Sequence, residues 1–255
     1  MLISDDLQAE FEAARSGYEP GRGLTFPLVA CWLGFAPRRS AAAARDVKHF
    51  DIFLRAKFGR RLPASMAGWL SFEDAHELLK RHSNCDNAIA LSDMIDDEDQ
   101  LSNGRLVFQI ENQGVCRWAV ALPLADAAEA NTIDDSPVLM SDGDRWVPCA
   151  ASLDHYIAAS AFDWPTGGVS VCGFEAITLA FMRARTAFAE ILPPTIILGS
   201  ALGRRFEANG VRVTLQNLGA SDFSIVWAPN RALIEELFAR FGLPGDGLDF
   251  IENSR

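Results

Sequence analysis

One short stretch of the sequence comes close to the spacing of a catalytic serine motif. In the nucleophile elbow of α/β-hydrolases, glycines flank the serine because the sharp strand-to-helix turn leaves no room for side chains. Gly168-Val-Ser170-Val-Cys172 supplies the first glycine and the serine, but a cysteine replaces the second glycine. The chain also lacks a P-loop, a G-x-G-x-x-G fingerprint and an H-E-x-x-H helix. The sequence therefore favours a protein that is not an enzyme, and it predicts no catalytic residue.

The cysteines do not have the spacing of a metal site. Structural zinc sites draw two ligands from one short segment such as C-x2-C. The chain has five cysteines, and no two are closer than 23 residues: Cys31, Cys85, Cys116, Cys149 and Cys172. Such isolated cysteines are typical of buried, reduced thiols that act as small apolar side chains. We therefore predict no metal ion and no cofactor.

The acidic side chains, in contrast, are strongly clustered. Between Asp86 and Asp144 there are thirteen acidic residues and only two basic ones, Arg105 and Arg117. The rest of the chain has equal numbers of acidic and basic residues, so this central segment accounts for the whole net charge of −11. A surface with such a concentration of one charge can steer and hold a partner of the opposite charge.

A basic segment lies directly upstream. Residues 38–61 contain eight basic side chains and two acidic ones, Asp46 and Asp51. Charge runs of this kind are usually solvated faces, and the two segments could partly pair with each other. Both interpretations, solvated faces and a partner-binding surface, stay open at this point.

The overall composition excludes several classes of protein. Of the 255 residues, 49% are hydrophobic and 22% charged, which is typical of a globular protein rather than a disordered one. The net charge of −11 argues against nucleic acid as a partner, because binding to phosphates needs a basic face. The first residues carry acids where a signal peptide carries Lys or Arg, and no apolar run is long enough to span a bilayer. We therefore expect a cytoplasmic protein without a membrane partner.

The periodicity of apolar residues predicts which elements position the charged segments. Helical spacing predicts helices at 4–15, 41–58, from Pro63 onward, 75–80 after a Ser71-Phe-Glu-Asp74 capping box, 152–160, 173–191 and 230–241. The residues that follow the predicted helix at 75–80, up to Asp99, are predicted to form an acidic loop. Alternating patterns predict strands at 105–111, 115–120, 137–140, 145–148, 203–206, 211–216 and 223–227. These elements predict an α+β fold, a mostly antiparallel central sheet flanked by helices, in one domain over residues 1–255.

The clearest of these elements is a β-hairpin. Leu106, Phe108 and Ile110 alternate with less apolar residues, and a turn at Asn112-Gln-Gly114 leads into a return strand. We expect residues 111–114 to shape the turn, with Gly114 taking a positive φ. Trp118 on the return strand and Trp146 further on are expected in the core.

This hairpin and its surroundings resemble the SUKH superfamily, which includes the fungal Smi–Knr cell-wall regulators. The strand, the Glu111-Asn-Gln-Gly114 turn and the strand carrying Trp118 are similar to that family's central hairpin. Asp134-Asp-Ser-Pro-Val138, followed by Trp146 and a helix from Ser152, resembles the family's D-D-P-P-V segment, tryptophan and closing helix, although Ser136 replaces a proline. Arg61-Leu-Pro upstream resembles the start of the helix before the sheet. The similarity covers residues 62–161, and residues 173–241 fit longer bacterial members more loosely.

The resemblance implies a binding protein. Bacterial members of the superfamily are mostly immunity proteins, which bind a cognate toxin and neutralise it. Many such toxins are nucleases with basic substrate-binding surfaces, and an acidic inhibitor can occupy that surface in place of phosphates. The expected partner is therefore a cognate toxin protein, with a basic nuclease as one class that fits the charge.

The expected partner-binding residues are acidic side chains before and after the hairpin. They are Asp93, Asp96, Asp97, Glu98, Asp99, Asp134 and Asp135. Two other functions remain open on the sequence alone: a scaffold or regulator that binds without inhibiting, and an uncharacterised enzyme.

Overall fold

The computed structural model describes Ala9 and residues 38–83, 86–126, 136–142, 145–173, 187–197, 201–217, 222–242 and 249–253. These residues form helices and two antiparallel sheets, so the predicted α+β class is confirmed. The chain divides into two compact units, one holding residues 38–160 and the other Ala9 and residues 161–253 of the described ranges. We refer to them as the N-terminal and C-terminal units. The assignment of residues 1–255 to a single domain stays a prediction.

The N-terminal unit begins with helices. They are α1 (Ala41–Phe58), α2 (Ala64–Leu70), α3 (Ala75–Arg81), α4 (Leu91–Met94) and α5 (Glu98–Ser102). Helix α1 has the predicted bounds: the Ser40 hydroxyl accepts a hydrogen bond from the Ala43 amide at 3.3 Å, and Gly59 ends the helix with a φ of 61°. Its buried residues are Val47, Phe50 and Leu54, at the helical spacing that predicted it.

Two local predictions in this region are wrong. Ser71 does not cap α3, because its hydroxyl donates to the carbonyl of Ala67 at 2.6 Å and so belongs to the end of α2. Asp74 occupies the N-cap position of α3 instead, without a side-chain cap bond. The stretch up to Asp99 is also not a continuous loop, since it contains a short strand and the helices α4 and α5.

The N-terminal sheet has five antiparallel strands in the order β1-β2-β3-β4-β5. They are β1 (Asn87–Ala88), β2 (Arg105–Ile110), β3 (Arg117–Ala121), β4 (Val138–Asp142) and β5 (Arg145–Ala150). The predicted hairpin is confirmed, with Arg105 opposite Ala121 and Ile110 opposite Arg117. The turn is confirmed as well: the Gly114 amide donates to the Glu111 carbonyl at 2.8 Å, and Gly114 has a φ of 75°.

Helix α6 (Leu153–Asp163) follows this sheet. The Ser152 hydroxyl caps its start, as predicted, by accepting from the His155 amide at 3.2 Å. The Tyr156 ring lies 5.4 Å from the ring of Phe108 and 6.3 Å from that of Trp118, which is 5% exposed. The prediction that Trp118 is a core residue is confirmed. Trp146 on β5 is only partly buried, with the Arg105 guanidinium 5.3 Å from its ring.

The C-terminal unit contains a six-stranded antiparallel sheet in the order β11-β6-β10-β9-β8-β7. Its elements are β6 (Val169–Gly173), β7 (Ala189–Ile197), β8 (Ala201–Ala208), β9 (Val211–Asn217), β10 (Asp222–Ala228), α7 (Arg231–Arg240) and β11 (Phe250–Glu252). The predicted strands at 203–206, 211–216 and 223–227 lie within β8, β9 and β10. Asn230 caps α7 as expected, since its side-chain oxygen accepts from the Leu233 amide at 3.2 Å.

The predicted helix over residues 173–191 is wrong at both ends. Gly173 closes β6, and Ala189 already begins β7; residues 174–186 lie outside the described ranges. Pro193 and Pro194 interrupt β7 rather than end a helix, and the pairing register shifts between Leu192 and Thr195. A strand at the edge of a sheet tolerates proline because its outer amides need no partner strand. The predicted helix at 4–15 also lies outside the described residues, except for Ala9, which is helical.

Candidate protein-binding surface

Five of the seven predicted partner-binding residues lie together in the N-terminal unit. We call Asp93, Asp96, Asp97, Glu98 and Asp99 the acidic surface. Asp93 lies in α4, Asp96 and Asp97 connect the two helices, and Glu98 and Asp99 begin α5. Four of the five are exposed, and Asp97 is half-buried. Asp134 and Asp135 lie outside the described residues.

Two buried apolar residues hold the acidic surface on the sheet. Met94 is 2% exposed and Leu101 is 1% exposed, and the short helices that carry them both contact β2. Helices of four and five residues are not stable alone, so this burial supplies their stability. The backbone adds support where the Asn103 side-chain amide donates to the Asp99 carbonyl at 2.8 Å. The carboxylates therefore project from a fixed backbone.

One member of the acidic surface is neutralised by the basic segment. The Lys57 ammonium lies 2.6 Å from the Glu98 carboxylate and 5.5 Å from the centre of the Phe53 ring. The expectation that the two charged segments pair in part is therefore confirmed at this contact. Within the ranges that the structure covers, Asp93, Asp96, Asp97 and Asp99 have no ion pair. No side chain of the described residues therefore compensates these four charges.

Several cations of the basic segment are also engaged locally. The Arg55 guanidinium binds the Asp51 carboxylate at 2.7 Å, one turn earlier on α1. Arg38 lies 3.4 Å from Glu73, and Arg39 lies 5.2 Å from the ring of Phe72. The basic segment is thus largely a structural and solvated face, as one of the two interpretations expects.

A second group of carboxylates lies under the hairpin turn and is buried. We call residues 112–115 the hairpin tip. The Glu111 carboxylate accepts from the amides of Gln113 at 2.8 Å and Val115 at 3.3 Å, and the Asp86 carboxylate accepts from the Asn112 amide at 3.3 Å. The expectation that residues 111–114 shape the turn is confirmed. The sequence does not indicate that Asp86 supports the turn, because the Asn112 amide that it binds is 26 residues away.

Burial determines the protonation of Asp86. Asp86 is only 8% exposed, and desolvation raises the pKa of its carboxyl group from 3.8 to about 6. The hydrogen bond from Asn112 lowers the pKa, and the charge of Glu111 raises it further, so desolvation is the larger effect. Asp86 is thus a carboxyl group that releases its proton near pH 6 rather than near pH 4.

Two of the three cysteines among the described residues are buried thiols, as predicted. Cys116 and Cys149 are buried and free, and desolvation raises the pKa of Cys116 to about 12. The prediction fails for Cys172 on β6, which is free but exposed. Cys31 and Cys85 lie outside the described residues.

The serine of the incomplete elbow motif does not sit at a turn. Ser170 lies inside β6, is 7% exposed, and accepts a hydrogen bond from the Asn253 side-chain amide at 2.7 Å. A catalytic elbow would expose the hydroxyl between a strand and a helix. Across the described residues, no three His, Cys, Asp or Glu side chains form a group that could hold a metal ion.

No family model, no curated protein and no solved structure matches this chain. Among the helices of the described ranges, none is long and apolar enough to cross a membrane. The resemblance to the SUKH superfamily stays a prediction.

Replacing Asp86 with asparagine is expected to stabilise the protein at neutral pH. The raised pKa means that the folded state binds a proton more tightly than the unfolded state. The stability that Asp86 contributes is therefore fully present below about pH 4 and is lost as the pH rises through about 6. At about 1.4 kcal/mol per pKa unit, the charged form destabilises the fold by up to about 3 kcal/mol. Asparagine keeps an oxygen for the Asn112 amide but carries no charge.

Urea unfolding at pH 7.5 and pH 4 measures this effect. We expect Asp86→Asn to be about 1–3 kcal/mol more stable than the parent at pH 7.5 and nearly equal to it at pH 4. Glu111→Gln serves as the comparison, since it removes the neighbouring charge and leaves Asp86 ionisable. A variant that is less stable than the parent at pH 7.5 would show that Asp86 gains more from its hydrogen bond than it loses by desolvation.

Proposed function

We propose that this protein is a non-catalytic immunity protein that binds a basic protein toxin through the acidic surface and neutralises it. The observation that carries the proposal is the exposure of Asp93, Asp96 and Asp99 without an ion pair among the described residues, on a backbone fixed by buried side chains. The similarity of the hairpin to the SUKH superfamily supports the same function. A toxin that acts on intracellular nucleic acid would have to be met in the cytoplasm, and we place the protein there.

The charge suits a partner whose own surface evolved to bind phosphates. Clustered carboxylates attract such a surface over a Debye length and raise the association rate above the usual 10⁵–10⁶ M⁻¹s⁻¹, by an amount that salt reduces. Because the backbone of α4 and α5 is already ordered, binding does not require the loop to fold. The acidic surface thus favours fast, salt-dependent association.

Reversal of two charges tests the proposal. In Asp96→Lys/Asp99→Lys, the backbone anchors and the Lys57–Glu98 ion pair remain in place, so the fold is expected to persist. The control variant Asp46→Lys/Glu236→Lys changes the net charge by the same amount at exposed positions on α1 and α7. We expect the first variant to bind the partner at least tenfold more weakly, and the control to bind like the parent.

The experiment starts with capture from the source cells on tagged parent protein, at low and high salt, followed by mass spectrometry. The captured protein is then produced alone and with each variant. Growth arrest by the partner, relieved by the parent and the control variant but not by Asp96→Lys/Asp99→Lys, is the expected result. Binding without relief would leave a scaffold rather than an immunity protein. Equal binding by both variants, with unchanged circular dichroism, would remove the acidic surface from the interface.

A further inference from the structure

Two acidic residues accept the hydrogen bonds from the backbone amides of the hairpin tip. All four of its amides donate to them: Asn112 to the Asp86 carboxylate, Gln113 and Val115 to the Glu111 carboxylate, and Gly114 to the Glu111 carbonyl. A proton on one of these carboxylates therefore weakens the hydrogen bonds that this carboxylate accepts from the turn.

The tip is exposed while its supports are buried. Asp86 and Glu111 are 8% and 5% exposed, whereas residues 112–115 are all exposed and the Val115 residue is 67% exposed. Buried hydrogen bonds to ionised groups are stronger than neutral ones. The conformation that the hairpin tip presents to solvent, or to a partner bound at the tip, therefore depends on the charge of the Asp86 and Glu111 carboxylates.

Among the described residues, the charged group that shifts the pKa of Asp86 is a second carboxylate, that of Glu111. Glu111 at the end of β2 repels it, and the Cys116 thiol before β3 and the Tyr156 phenol on α6 also interact with it electrostatically. Burial raises the pKa of both Cys116 and Tyr156 above their usual values, so they stay neutral near pH 6. On its own segment, the Asp86 amide donates to the Ser83 hydroxyl at 3.1 Å. Asp86, whose burial raises its pKa to about 6, can therefore take up a proton while Cys116 and Tyr156 stay neutral.

We propose that the hairpin tip is a proton-controlled element: a proton bound by Asp86 weakens the hold on Asn112, while Glu111 keeps residues 113–115 in place. Acidification then loosens the Asn112 side of an exposed turn. The proposal concerns the isolated chain and does not depend on the toxin-binding function.

Nuclear magnetic resonance of the full chain between pH 4 and 8 tests it. The two readouts are the side-chain carboxyl carbon of Asp86 and the amide of Asn112. We expect both to titrate with one midpoint near pH 6, and the Asn112 amide to become more mobile below that midpoint. The amides of Gln113 and Val115 are expected to keep their mobility.

Two variants separate Asp86 from other titrating groups, since histidines also titrate in this range. In Asp86→Asn, the inflection at the Asn112 amide should disappear, with the amide in its low-pH state throughout. In Glu111→Gln, the Asp86 midpoint should move to lower pH because a neighbouring negative charge is gone.

Three results would overturn the proposal. They are an Asp86 midpoint below pH 5, an Asn112 amide that does not follow the Asp86 carboxyl, and an inflection at Asn112 that survives in Asp86→Asn. The titration of the parent protein decides the first two outcomes even if a variant fails to fold.

Discussion

Replacing Trp118 with alanine is expected to lower the free energy of unfolding of the N-terminal unit by about 3–5 kcal/mol. The side chain is on the central strand of the sheet, opposite Gln109 on β2 and Met140 on β4, which are 1% and 3% exposed. Tyr156 from α6 lies against the same ring. Removing the indole leaves a cavity among β2, β4 and α6 that a well-packed interior cannot fill.

Trp146→Ala is the matched control for this prediction. Trp146 lies on β5 and is only partly buried, so its truncation is expected to cost about 1–2 kcal/mol. Urea unfolding followed by circular dichroism measures both variants. A loss of less than about 1 kcal/mol for Trp118→Ala would mean that the ring does not fill the core, and the tryptophan would become a candidate for the partner interface.

The contrast between the two tryptophans shows where sequence patterns are reliable. The hairpin was predictable because its alternation, its turn and its glycine are all local and agree with one another. The burial of Trp118 was predictable because the residue lies on the apolar face of that hairpin. Trp146 sits on the outer strand of the sheet, where alternation does not decide how much of a side chain is covered.

The elements that sequence reasoning missed depend on tertiary contacts. Helices α4 and α5 are too short to show a period, and they exist because Met94 and Leu101 are buried. In the C-terminal unit, the paired prolines in β7 suggested the end of a helix, although an edge strand accepts them equally well. Local propensity was ambiguous at both places, and long-range packing decided the outcome.

The candidate sites divide in the same way. Surface charge could be predicted from composition, because an acidic run with few apolar residues has little to bury. The role of Asp86 could not be predicted, since its bond to Asn112 requires β1 to pair with β2, with Asn87 opposite Ile110. The acidic surface therefore follows from sequence, whereas the buried carboxylates under the tip follow only from the fold.

The burial of Arg205 could not be predicted from the sequence either. Arg204 and Arg205 are neighbours on β8, and side chains alternate between the faces of a strand. Arg204 binds Glu190 in a partly exposed bidentate pair, with distances of 2.7 and 2.8 Å. Arg205 points the other way, is 1% exposed, and binds both oxygens of Asp163 at 2.9 and 2.5 Å.

Replacing Asp163 with asparagine is expected to lower the free energy of unfolding of the C-terminal unit by about 3–5 kcal/mol. The hydroxyls of Thr195 and Thr214 complete the buried network, accepting from Arg205 at 2.9 Å and donating to Asp163 at 2.7 Å. The variant leaves the buried Arg205 guanidinium ion without the carboxylate that neutralises it. The loss therefore comes from the stranded Arg205 charge more than from the lost attraction.

Two comparisons separate these causes. Glu190→Gln removes the acid of the neighbouring, partly exposed pair and should cost no more than about 1 kcal/mol. Asp163→Leu/Arg205→Met removes both buried charges and should be less destabilised than Asp163→Asn, because no charge is left without a partner. Urea unfolding measures the free energy of unfolding of all three variants. If the double variant were the least stable, the buried ion pair would stabilise the unit by more than its desolvation costs. Arg204 and Arg205 would then differ in the strength of their ion pairs, and not in the penalty for leaving one charge buried without a partner.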